Sequence, residues 1–102
     1  MAQGIDEIEA AFLRVKSSAE GAIGGDADSR DRSFQDIFAL NNEIGRLARE
    51  RPATMAKMKE LQAYVNMITV GIKYGRVADL REGLSVTARS IESMKKDLSS
   101  LP

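Results

Sequence analysis

The apolar positions of this chain keep helical spacing along nearly its whole length. Ile5, Ile8, Phe12, Val15, Ala19 and Ala22 step by three and four residues, with Glu7, Glu9, Arg14, Lys16 and Glu20 on the other faces. That spacing predicts an amphipathic helix over 5–23 within an N-terminal unit, 1–23. Roughly two to three heptads are short for a helix on its own, so the stripe needs a partner. Gly24 and Gly25 are followed by a run dense in charge from Asp26 to Arg32, which predicts a flexible linker over 24–32.

A second helix is expected over 33–51. Ser33 offers a cap, Asp36 suits the positive helix end, and Phe34, Ile37, Leu40, Ile44 and Leu47 form the apolar face. Pro52 disfavours helical geometry at Arg51 and suits the start of a new helix, so 50–54 reads as a hairpin turn with Thr54 as its cap. A third helix is expected over 53–100. Its first stripe is Met55, Met58, Leu61, Val65, Ile68 and Ile72; its second is Val77, Leu80, Leu84, Thr87, Ile91, Met94, Leu98 and Leu101. As one rod this element would reach about 70 Å. A globule of this size has a radius of gyration of about 13 Å, so the seam must fold back or meet other molecules. The stripe shifts between Ile72 and Val77, beside Gly71 and Gly75, where the spacing allows a bend or a change of partner.

These elements define an all-α fold class: a helical hairpin, 33–102, with a long C-terminal helix and a tethered N-terminal helix, three helices in a coiled-coil-like arrangement. No strand-like alternation and no internal repeat beyond the heptads stand out.

Composition narrows the chemistry. The 102 residues are 43% hydrophobic and 29% charged but only 5% aromatic, so Leu, Ile, Val, Met and Ala must fill the core. With no Cys and no His, thiol nucleophiles, disulfides, imidazole bases and the usual zinc ligands are missing. No pair of carboxylates is spaced for catalysis, and the sequence reading is of a protein that is not an enzyme, takes no cofactor and holds no metal. Asp26, Asp28 and Asp31 fail the calcium-loop spacing, with Asp31 and Ile37 where Gly and Glu are required. Gly21, Gly24 and Gly25 lack the Lys-Ser/Thr ending of a phosphate loop. Tyr64 and Tyr74 fall on one helical side, which suits an interface. The acidic start has no cleavable export signal, and the most apolar window, 63–72, is too short to span a membrane.

Fifteen basic and fifteen acidic residues cancel, yet unevenly: residues 1–51 hold seven and ten, residues 52–102 eight and five. The mild asymmetry suits contact between the halves or between copies, not nucleic acid. Gly71 and Gly75, each costing about 1 kcal/mol inside a helix, mark either a close approach of another backbone or simply a kink or an ordinary fold-back.

The stretch from Arg51 to Gln62, followed by Tyr64 to Val77, resembles the C-terminal region of bacterial type III secretion inner-rod proteins, relatives of the needle subunits. Pro52, Leu61, Gln62, Tyr64, Met67, Val70, Arg76, Val77, Leu80 and Leu84 carry it. The chain departs from that pattern in continuing to Pro102 and in its regular first helix. The resemblance implies a structural self-assembling subunit of a secretion apparatus, cytoplasmic before assembly and then part of the apparatus or secreted. Its partners would be copies of itself and other apparatus proteins. Tyr64, Met67, Ile68, Gly71, Ile72, Gly75, Val77, Leu80, Leu84 and Ile91 are the residues expected to pack between subunits. The competing reading is a cytosolic helical adaptor or chaperone that holds a partner helix in its heptad seams. A secreted helical hairpin of the WXG type lacks its Trp here.

Overall fold

A computed structural model of the chain describes residues 3–99, apart from the side chains of Gln3, Leu98 and Ser99. Among these residues there are four α-helices and no strand: α1 Gln3–Ile23, α2 Ala27–Glu50, α3 Met55–Lys73 and α4 Val77–Ser99. They run alternately up and down, each packing on the next and α1 on α4, to close an antiparallel four-helix bundle of 45 × 20 × 16 Å. The radius of gyration of 13.4 Å is that of a folded globule and not of a rod. The all-α hairpin architecture stands; the boundaries inside it fall differently from the sequence reading, and Leu101 lies outside the described residues.

The expected linker, 24–32, shrinks to three residues. Gly25, at φ +89°, takes the left-handed conformation that closes α1: its amide donates to Ala22 O, and the Asp26 amide donates to Gly21 O. Asp26 then caps α2, its carboxylate accepting from the Asp28 amide at 3.3 Å and the Ser29 hydroxyl at 2.6 Å. The charged run that follows is the solvated face of a first helical turn. Ser33 is therefore no cap but a fully buried residue inside α2, its hydroxyl donating to Ser29 O at 2.8 Å.

The expected helix over 53–100 is likewise divided. A short 3₁₀ turn, Pro52–Thr54, leads into α3, and there Thr54 donates its hydroxyl to Arg51 O at 2.7 Å instead of capping the amides of α3. At Tyr74–Arg76 the chain reverses. Gly75, at φ +66°, donates to Ile72 O, and Arg76 donates to Gly71 O. Every turn hydrogen bond of the first hairpin recurs in the second with the residue numbers raised by fifty: 24 to 20, 25 to 22, 26 to 21 and 30 to 26 become 74 to 70, 75 to 72, 76 to 71 and 80 to 76. Two hairpins of one design, nearly without shared residues, make up the bundle.

Ile5, Ile8, Phe12 and Val15 of α1, Leu40 and Ile44 of α2, Leu61, Val65 and Ile68 of α3, and Leu80 and Ile91 of α4 share a single core. Close contact within the second hairpin comes from two glycines. A Cβ on Gly71 would lie 2.7 Å from Leu80 N, and one on Gly83 2.9 Å from Ile68 N, so backbone faces backbone at both crossings.

Ion pairs tie the outside together. Arg46 of α2 reaches Glu7 of α1 and its own Glu43, Lys57 of α3 meets Asp97 of α4, and Lys95 of α4 holds Glu9 of α1 at 3.0 Å. Of these four pairs the last joins the acidic half to the basic half.

Candidate interaction surface

The ten residues expected to pack between subunits divide into two groups. Ile68, Ile72, Leu80 and Ile91 are core residues, and Gly71 is pressed onto Leu80 of the same chain. For these five the partner that the heptads called for is the chain itself, because α4 folds back along α3 and covers them. Tyr64, Met67 and Leu84 are half-buried, while Gly75 and Val77 are exposed, Val77 to 40%.

Gly71, Ile72, Gly75, Val77 and Leu80 nevertheless converge on one place. They line a recess of about 210 Å³ at the turn end, together with Ala22, Ile23 and Arg30 from the first hairpin. Beside it a second recess, about 380 Å³, is lined by Glu20 and Ile23 of α1 and by Arg81 and Leu84 of α4. The two share Ile23, so the seam between α1 and α4 is open toward the turn end. Toward the other end it is closed by the Lys95–Glu9 pair.

Arg30 ties the two turns at this end, donating from Nη2 to Lys73 O at 3.3 Å and stacking its guanidinium 5.6 Å from the Phe34 ring centre. Tyr74, 62% exposed, carries the Lys73 ammonium at 5.4 Å and the Arg76 guanidinium at 5.9 Å from its ring centre.

Tyr64 lies elsewhere, in a groove of about 360 Å³ between α3 and α4 with Lys57, Glu60, Val86, Arg89, Ser90, Ser93 and Met94. Its hydroxyl donates to Glu60 Oε1 at 2.9 Å, and this bond holds the phenol above its ordinary pKa. The sequence reading thus joined two sites that the bundle separates, Tyr64 on one flank and the Gly75–Val77 turn on another.

Three surface features were missed: Leu13 at 55% exposure, Phe38 at 69% and the role of Ile23. Leu13 and Phe38 do carry a signal, since each is a large apolar residue off the buried stripe of its helix. Ile23 carried none, because its value depends on α4 passing beside it.

Among the described residues no group of three His, Cys, Asp or Glu is placed to hold a metal ion, and no helix is long and apolar enough to cross a membrane. No protein-family model, curated protein or solved structure matches this chain.

Proposed function

We propose that this chain is a non-catalytic assembly subunit, a small helical bundle that joins copies of itself within a bacterial secretion apparatus. The observation behind the assembly part is the open α1–α4 seam, where Ile23, Leu84 and Val77 are left partly uncovered on a molecule of zero net charge. The secretion part rests on the resemblance over 51–84. In this reading the contacts between subunits are made by the exposed Val77 and the half-buried Leu84, and not by Ile68, Ile72 or Ile91, which the bundle has used.

The groove holding Tyr64 favours a second reading, an adaptor that seats a partner's helix between α3 and α4. Light scattering across a hundredfold range of concentration separates the two. Mass that grows with concentration is expected of the subunit. A constant 11.1 kDa species removes the self-assembly reading and leaves the adaptor.

A further inference from the structure

We propose that the outer flank of the α1–α4 seam is a self-association surface on which a second copy docks about a two-fold axis parallel to the helices. The proposal rests on the assembly reading above and adds to it the surface and the orientation.

Leu13 continues the uncovered apolar strip. It stands one turn after Glu9, which holds Lys95 of α4, and two turns before Glu20, which lines the recess beside Leu84. Residues four and seven apart share a helical face, so Leu13 projects along the same seam, 55% exposed. From the turn end the strip then runs through Val77, Ile23 and Leu84 to Leu13.

Charge selects the occupant. Glu20 borders the strip on the α1 side and Arg81 on the α4 side, and neither is in an ion pair among the described residues. A two-fold axis along the helices preserves height and exchanges sides, so each Glu20 comes opposite Arg81 of the other copy. An axis across the helices would instead lay α1 on α1, with turn end against terminal end. The same exchange sets the acidic hairpin, 3–50, with ten acidic and six basic residues, against the basic hairpin, 55–99, with five and eight.

The 21 residues of α1 extend about 30 Å, and two packed helices are about 20 Å wide, which offers on the order of 600 Å² per copy. That is the low end for a specific interface, the range of weak and reversible association.

Sedimentation equilibrium of the full chain from about 10 μM to about 1 mM is the test. The expected result is a mass rising from 11.1 kDa toward twice that value. Leu13→Glu and Arg81→Glu should each raise the dissociation constant at least about tenfold, and Glu20→Arg combined with Arg81→Glu should restore it. Phe38→Glu, on α2 away from the seam, should change nothing. Circular dichroism melts establish that each variant is folded. Dimers unaffected by Leu13→Glu and Arg81→Glu overturn this surface while leaving self-assembly standing; a charge swap that fails to restore binding overturns the two-fold geometry; a monomer at the highest concentration overturns both the surface and the self-assembly reading.

Discussion

The two hairpins turn by the same four hydrogen bonds, yet they hold their helices together in different ways. In α1–α2 the close points are on side chains, and the softest is at Gly4, where an added Cβ would meet the far end of the flexible Leu47 side chain, Cδ1 at 2.5 Å. In α3–α4 the close points are backbone on backbone, at Gly71 with Leu80 and at Gly83 with Ile68. The buried polar residues differ too. Ser33 is satisfied by Ser29 O, whereas the hydroxyl of Thr87, fully buried in α4, has no hydrogen-bond partner among the described residues. One turn design therefore tolerates two packings, and the second hairpin, with backbone against backbone, is the less forgiving.

The largest test of that contrast is Gly71→Ala against Gly4→Ala. A backbone cannot step aside as the end of a leucine side chain can, so Gly71→Ala should cost about 3 kcal/mol and Gly4→Ala about 1 kcal/mol. For a domain of this size that is a fall in Tm of more than about 10 °C against about 5 °C in thermal melts. Equal losses would erase the distinction between soft and hard contacts. Next, Gly25→Ala and Gly75→Ala meet no neighbouring atom and pay only for positive φ, about 1 kcal/mol each. Asn at either position should recover part of that loss.

A smaller pair carries opposite signs. Thr87→Val removes an unpaired buried hydroxyl and should stabilise by about 1 kcal/mol, while Ser33→Ala gives up a formed hydrogen bond and should destabilise by about 0.5–1 kcal/mol in urea titrations. The mildest contrast is with pH. Hydrogen bonding from Ser29 holds the Asp26 carboxyl below its ordinary value, so the first turn keeps its stabilisation above that value and loses it as pH falls through the depressed one. Lys95 is raised above the ordinary lysine value by Glu9, and Tyr64 above the ordinary tyrosine value by Glu60. Their contributions are complete below the unfolded values and disappear as pH rises through the folded ones. Acid should therefore weaken the first turn, and alkali the α1–α4 joint and α3, in thermal melts.

Helix faces were legible because burial follows the heptads: Ile5, Ile8, Leu40, Ile44, Leu61, Ile68 and Ile91 all lie where their spacing put them. Chain reversal was half legible. Gly71 and Gly75 marked the join, and a fold-back was one of their two readings, but a left-handed glycine and a mid-helix glycine look the same in one sequence. The charged run after Gly25 misled because Asp, Ser and Arg serve equally as a loop and as the first turn of a capped helix. The fifty-residue repeat escaped notice since it lives in hydrogen bonds, with Val15 and Val65, Gly21 and Gly71, and Gly25 and Gly75 as its shared residues. The open seam depends on how α1 and α4 meet, and no local pattern encodes that.

The Lys95–Glu9 pair spans eighty-six residues, whereas each hairpin closes through contacts much nearer in the chain. Loop closure of that length is costly in entropy, which favours rapid formation of both hairpins and a later step that joins the first helix to the last. The joint made last is also the one that two recesses leave open at the turn end, so amides of α1 and α4 there should exchange with solvent hydrogen sooner than those of α2 and α3. The bundle's kinetic weak point and its proposed docking flank are the same strip, and a second copy seated there would protect those amides from exchange.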